Sequence, residues 1–291
     1  MDNYYLVIDN LKYVYDFRGP EKKAALDGIN ARVARGEFIA VIGPNGSGKS
    51  TLARHLNALL LPTEGRVSVN GLDTRQPDNH RAIRREVGMI FQNPDNQIVA
   101  ATVEEDVAFG PENLGLPAEE IKRRVEAALR VAGLERMRTV PPHFLSGGQK
   151  QRLAVAAALA MEPGCLVCDE PTAMLDPAGR EEVLQTLLRL NREEKLTVIL
   201  ITQFMEEAAL ARKIWLLDKG RLVFSGAPGE LFARPQLLFA CGLELPAPAE
   251  VARRLRAAGW PLSPGVLTLD DLVAGLRRIM GRNTFPDQNM I

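Results

Sequence analysis

The segment GPNGSGKST, residues 43–51, places glycines, one lysine and hydroxyl side chains in a single short loop. Gly43, Gly46 and Gly48 let the backbone curl, with Pro44, Asn45 and Ser47 between them, until several N–H groups converge on one point. That is chemistry for a phosphate. Lys49 adds a point charge for β- and γ-phosphates, Ser50 offers a hydroxyl to Mg²⁺, and Thr51 closes the set. Hydrolysis requires a second metal-side group and a residue that aligns water. LVCDE at 166–170 supplies both: an apolar strand ends on Asp169, which can hold a Mg²⁺-bound water, and Glu170 follows as the candidate base. LSGGQKQR at 145–152 is a second Ser-Gly-Gly turn, Ser146, Gly147, Gly148 and Gln149, opening an apolar helix, where several unpaired backbone N–H groups suit another phosphate.

These groups need elements to hold them. FIAVI at 38–42 is a continuous apolar run, as in a strand covered on both faces, and a helix is predicted from Lys49 to about Leu60. YYLVI (4–8) and KYVY (12–15) alternate in the manner of strands. GRVSVNG (65–71) reads as a strand ending in an Asn-Gly turn, and VGMIF (87–91) as a short buried strand. Residues 104–135 are mostly helical, interrupted at Pro111 and Pro117 and stopped at Gly133. CLVCD, a helix from Pro177 to about Glu194, TVILIT, IWLLD and RLVFSG complete an alternation of strands and helices, which implies a parallel sheet covered by helices. Asp176 before Pro177 is a natural N-cap. From about Pro235 the texture changes to a Pro/Gly-bounded short helix and a second helix capped by Thr268. Leu269, Leu272, Val273, Leu276, Ile279 and Met280 form one apolar stripe on that second helix. It packs either on the parent domain or on another chain.

Bulk properties exclude some functions. Lys+Arg and Asp+Glu both number 36 and no long basic tract occurs, so nucleic acid is not expected as a partner. The longest apolar runs, such as LTVILIT, fall far short of the ~18–20 residues that span a bilayer, and the N-terminus has no basic leader region, which points to a cytosolic chain. Cys165 and Cys168 point to opposite faces of one strand and read as core residues.

The ordered set GPNGSGKST, Gln92, LSGGQKQR, LVCDE and the AMLD turn at 173–176 resembles the nucleotide-binding ATPase of ABC transporters over about residues 4–230. The resemblance implies an α/β P-loop NTPase fold with a mixed β core. It places an ABC-type nucleotide-binding domain at 1–234, a helical subdomain at about 93–163, and a short α-rich extension at 235–291 that contributes to subunit contact. In that family two ATPases meet head to tail, and each ATP lies between the phosphate loop of one and the LSGGQ turn of the other, which gives the second turn its purpose. FQNPDNQIVAATVEEDVAFGPENLGLP and the short tail are similar to the ATPases of energy-coupling factor importers, which take up vitamins and, in some systems, cobalt or nickel ions. The implied cofactors are ATP and Mg²⁺. The implied partners are a second ATPase subunit, a transmembrane coupling subunit and a small substrate-binding membrane subunit, and the implied location is the cytoplasmic face of the cell membrane.

By the same resemblance Tyr15 stacks on adenine and Gln92 senses Mg²⁺ and water. Ser146, Gly147 and Gly148 bind the partner's γ-phosphate, Asp176 lines the interface, and the segment after Gln92 forms a groove for coupling helices. One residue departs from the pattern. Where the family places a histidine against the γ-phosphate, this chain has Gln203. An amide can still donate to phosphate but carries no charge and shuttles no proton. Its own site is therefore expected to bind ATP and to hydrolyse it slowly or not at all, either as a naturally weak site beside a competent partner, which favours unlike subunits over a homodimer, or as a substitution engineered to hold ATP. The alternatives are the ATPase of another ABC importer or exporter, which would work without a separate small substrate-binding membrane subunit, and a soluble ABC ATPase acting on DNA or ribosomes, against which the absence of a long coiled-coil insertion between the motifs argues.

Overall fold

Strands with one apolar face and strands apolar on both faces sort into two sheets. The computed structural model describes residues 4–15 and 24–280, so the last residues of the extension, 281–291, lie outside the described part. The strands in chain order are β1 (Leu6–Val14), β2 (Ala24–Val33), β3 (Phe38–Ile42), β4 (Glu64–Val69), β5 (Leu72–Asp73), β6 (Val87–Ile90), β7 (Cys165–Asp169), β8 (Thr197–Ile201), β9 (Lys213–Asp218) and β10 (Arg221–Gly226). One antiparallel sheet has the order β2-β1-β4-β5, and the larger sheet runs β10-β9-β3-β8-β7-β6. In the larger sheet β9, β3, β8, β7 and β6 are parallel, and only β10 pairs antiparallel. β3, β7 and β8 are buried at every residue, as strands sandwiched between two layers must be.

The helices are α1 (Lys49–Leu56), α2 (His80–Glu86), α3 (Val103–Asn113), α4 (Ala118–Ala132), α5 (Gly147–Leu159), α6 (Pro177–Glu194), α7 (Met205–Ala209), α8 (Pro228–Phe232), α9 (Pro235–Ala240), α10 (Ala247–Ala257) and α11 (Leu269–Met280). One core lies between the sheets and around α1, where Leu6, Ile8 and Val67 meet Ile39, Val41, Leu52 and Trp215. A second covers the other face of the large sheet with α5 and α6, through Val155, Val183 and Leu187. Cys165 belongs to the first and Cys168 to the second, the opposite-face arrangement expected for them, and burial pushes both thiols up. α3, α4 and α5 enclose a third core of Val103, Val107, Val125, Leu129 and Leu153. Because Ala154 and Val155 of α5 belong to the main core while Leu153 and Ala156 belong to the third, α5 couples the two.

Several local expectations need correction. The two short strands expected at 4–8 and 12–15 are one strand with a bulge. Asn10 turns to φ 47, and Gly65 of β4 lies so close that a Cβ there would fall 2.1 Å from the Asn10 carbonyl oxygen. The helix from Lys49 ends at Leu56, not Leu60, because Asn57 caps it and Ala58 takes the left-handed conformation at φ 54. Pro111 does not interrupt its helix but sits in the last turn of α3, which a Thr102–Glu105 capping box starts. The tail has three helices where two were expected, α9 having gone unrecognised. Its apolar stripe divides: Leu272, Leu276 and Ile279 join Ala252, Leu262 and Val266 in a small core of the tail itself, while Leu269, Val273 and Met280 remain exposed. The Thr268 cap is present, its hydroxyl accepting from Asp271 N at 3.2 Å.

Candidate nucleotide site

β3 delivers the chain to Gly43 at the carboxyl edge of the large sheet, and α1 leaves from Gly48. Both glycines are required by close approach as well as by φ. A Cβ at Gly43 would meet the Leu217 carbonyl oxygen at 2.2 Å, and one at Gly48 the Ala25 carbonyl oxygen at 2.6 Å. The loop between them is walled by backbone, with Gly220 N donating to Ser47 O at 3.0 Å. Asn45 and Gly46 are exposed at its outer rim and Pro44 is half-buried. Ser47 is buried, yet its hydroxyl has no partner among the described residues, as expected of a donor kept for a ligand.

Lys49 folds back over this loop, its Nζ donating to Gly43 O at 2.8 Å and Pro44 O at 3.2 Å. Burial lowers its proton affinity, and the negative charges of Glu170 and Asp169 oppose that shift. Ser50 Oγ donates to Asp169 Oδ1 at 2.9 Å, so helix α1 and strand β7 present a hydroxyl and a carboxylate to the same point. Burial raises the Asp169 carboxyl above the ordinary range, with Ser50, Arg54 and Lys49 pulling the other way. A hard divalent cation suits these oxygen donors. No cluster of three or more His, Cys, Asp or Glu able to hold a metal exists among the described residues, so such a cation would take its remaining ligands from water and phosphate.

Glu170 follows Asp169 with φ 51, a left-handed conformation that a glutamate adopts only under constraint. Its N–H donates to Ile201 O at 3.0 Å, and its Oε2 accepts from Gln92 Nε2 at 3.2 Å, so the β6, β7 and β8 ends converge here. Gln92 is exposed. Tyr15 lies over the start of α1, its hydroxyl 3.1 Å from Thr51 Oγ1 and its ring edge-on to Tyr13. Gln203 is exposed just past β8, and its side chain makes no hydrogen bond among the described residues.

The 145–149 turn is built differently. Ser146 Oγ accepts from Gln149 N at 3.3 Å and Gln149 Oε1 accepts from Ser146 N at 2.8 Å, a capping box that leaves Gly147 and Gly148 N–H as the free donors of α5. Gly148 has a packing duty as well: a Cβ there would come 3.1 Å from Gly179 Cα, so the α5 and α6 starts nearly touch. No hydrogen bond among the described residues joins this turn to the 43–51 loop. Asp176 caps α6, its Oδ1 accepting from Gly179 N at 3.0 Å, and remains exposed beside the turn. Gln97 was missed by sequence reasoning. Its side chain accepts from Phe91 N at 2.7 Å and donates to Met89 O at 3.0 Å, holding the segment after Gln92 to the end of β6, and only its place in the polar DNQ turn hinted at that.

A chain with this geometry has known relatives. The family described as ABC transporter matches residues 26–173. An energy-coupling factor transporter ATP-binding protein EcfA1 of Symbiobacterium thermophilum is 56% identical over 97% of this chain and 100% of its own length. The solved structure of cbiO1 from Clostridium perfringens, described as part of the ABC transporter complex cbiONQ, superimposes with a TM-score of 0.75 at 36% identity, covering 89% of this chain and 98% of that one. The ATP-binding cassette MJ0796, solved as a dimer in a post-hydrolysis state bound to ADP and Pi, gives 0.69 at 34% identity over 77% of this chain and 98% of its own.

Proposed function

This chain belongs to the ABC transporter family, among the ATP-binding proteins of energy-coupling factor transporters, and from that premise we propose that it is the ATP-hydrolysing motor subunit of such an importer, driving uptake of a vitamin or metal ion. The observation that carries the reading is the pairing of a complete phosphate loop, closed over by Lys49 and backed by the Ser50–Asp169 contact, with a Ser146 turn whose donors make no contact with that loop. One grip holds the chain's own nucleotide; the other waits for a second subunit's.

The residues divide the work. The 43–51 loop and Lys49 bind the triphosphate, and Tyr15 carries the adenine. Ser50 and Asp169 would hold Mg²⁺, which neutralises phosphate charge in the reaction. Glu170, oriented through Gln92, accepts the proton of the attacking water. Gln203 donates an amide hydrogen bond to the γ-phosphate but supplies no charge, so this site turns over slowly, and the second ATPase subunit is an unlike, competent one. Asp176 and the exposed Leu269, Val273 and Met280 belong to the contact between the two subunits, with 235–291 as the extension that carries part of it.

An apolar cavity of about 320 Å³ opens between Met89, Gln97, Val99, Phe109 and Met161. Val99 and Phe109 are 64% and 51% exposed beside it, which suits the coupling helices of a transmembrane subunit that in turn holds a small substrate-binding membrane protein. No described helix is long and apolar enough to cross a membrane, and attachment to the cytoplasmic face through that cavity is the location proposed. Co-purification tests the reading: solubilised membranes should yield this chain with a related ATPase and at least one polytopic protein, and Phe109→Asp should release it. Recovery of this chain without membrane partners would refute it.

A further inference from the structure

Behind Gln203 and Glu170 lies a buried polar cluster that none of the roles above uses. Glu207 of α7 is 2% exposed, and Thr202 and Thr172 are each 1% exposed. Thr202 Oγ1 donates to Glu207 Oε2 at 2.6 Å and accepts from Phe204 N at 3.0 Å, so the turn that presents Gln203 is folded around the carboxylate. The second oxygen, Oε1, and the Thr172 hydroxyl are both buried without a bonded partner, and the Thr172 hydroxyl lies close enough to Glu207 to favour its ionised form. Arg180 of α6 completes the cluster. Its guanidinium stacks 3.5 Å from the Phe204 ring centroid, its Nε is buried and unpaired, and its charge favours the ionised Glu207. Glu206 is the one charge acting in the opposite sense.

A carboxylate in this position is costly, because burial raises its proton affinity more than its partners lower it. An alkyl side chain beside Met205, Ala208 and Ala209 would carry no such cost, so the packing of α7 does not call for an acid. What an acid supplies is two oxygens, one for each of two loops. Thr202 lies one residue before Gln203; Thr172 lies two residues after Glu170, and its carbonyl accepts from Leu175 N at 3.2 Å within the turn that ends at Asp176. Arg180 follows Gly179, the residue that touches Gly148 beside the Ser146 turn. We infer that Glu207 is a positioning residue that ties the Gln203 turn to the Glu170–Asp176 loop, so that the γ-phosphate contact and the water-activating base move as one unit. Closing the gap between Oε1 and the Thr172 hydroxyl is the step that would lock them.

The test is cross-loop coupling, read by hydrogen exchange on the full chain with Mg-ATP bound, the state in which the Oε1–Thr172 contact would close. Thr202→Val and Thr172→Val keep the side-chain shape and remove only the hydroxyl. Thr172→Val should speed exchange at 203–206, and Thr202→Val at 171–176, each by threefold or more, and Glu207→Leu should speed both segments by about tenfold. Glu207→Gln, which can accept from Thr202 and donate to Thr172, should stay within about threefold of the parent. Changes confined to each variant's own segment, or a Gln variant as loose as the Leu variant, would overturn the inference; if Glu207→Leu does not fold, the two threonine variants decide it. The link to hydrolysis rests on the roles proposed for Glu170 and Gln203, and is measured in the assembled complex with Gln203→His as parent. There Glu207→Leu should lower kcat about tenfold or more with KM for ATP within twofold, and Glu207→Gln should recover most of the loss. A parent that shows no raised turnover speaks against the reading of Gln203, and hydrogen exchange by itself then decides whether Glu207 couples the two loops.

Discussion

Replacing Lys49 with methionine separates binding from folding at the phosphate loop. The side chain is buried, with 5% exposure, and its ammonium is shared between the Gly43 and Pro44 carbonyls. Methionine keeps most of the aliphatic stem and removes the charge. In the nucleotide-free chain two opposing effects follow: the carbonyls lose a donor, at about 1–3 kcal/mol if they stay dry, and the cost of burying an ammonium with lowered proton affinity disappears. The carbonyls border an open loop where water can replace the lysine, so the net change in stability is small, on the order of 1 kcal/mol. With ATP bound, the loss is a charged hydrogen bond to phosphate worth about 1.5–3 kcal/mol, or roughly ten- to 150-fold in Kd. Calorimetric titration with Mg-ATP, paired with a melting curve, reads both quantities. A Kd within twofold of the parent would refute the phosphate-loop assignment, and a melting temperature lowered by more than about 10 °C would show that the lysine serves the fold instead.

Gln203→His should raise ATPase activity of the assembled complex at least tenfold, since a general acid–base contribution is about 10²–10⁴-fold; an unchanged steady-state rate would discard the slow-site reading. Glu170→Gln should leave ATP bound while abolishing turnover at this chain's own loop, which single-turnover quench-flow would detect, and undiminished turnover there would remove Glu170 from the mechanism. Asp169→Asn carries a pH signature. Burial raises the folded carboxyl above its ordinary value of 3.8, so the folded state holds that proton more tightly than the unfolded state, and the stability this confers is lost as pH rises through the folded value. The nucleotide-free Asn variant should therefore melt above the parent at pH 7, with the advantage shrinking toward pH 4, while losing Mg²⁺-dependent hydrolysis. A lower melting temperature at pH 7 would reverse the assigned sign.

The parts of the molecule legible in the sequence are those where one residue type answers one local requirement. FIAVI followed by GPNGSGKST could only be a buried strand feeding a glycine turn and a helix, and CLVCD only a buried strand ending on an acid. Gly133 and Asp176-Pro177 marked helix ends because left-handed caps and Pro-started helices have few alternatives. β2 was not distinguished because Leu26, Ile29 and Val33, its buried positions, are spaced by bulges and not by two. The Asn10 bulge and the early end of α1 depend on Gly65 and on Ala58 in conformations that neighbours impose. The Gly148–Gly179 contact lies between residues distant in sequence and has no local signal. The tail stripe defeated periodicity for a different reason. A period reveals that a face is apolar, not what covers it, and here α10 and the following loop cover half.

The two-subunit grip on ATP stands or falls with the Ser146 turn. A cryo-microscopy map of the membrane complex carrying Glu170→Gln and held in Mg-ATP would give the distance from Ser146 Oγ to the γ-phosphate seated in the other ATPase subunit's loop. Hydrogen-bond contact there, about 2.7–3.2 Å, is the expected result. A bound triphosphate in both loops with neither touched by a Ser146 turn would contradict it.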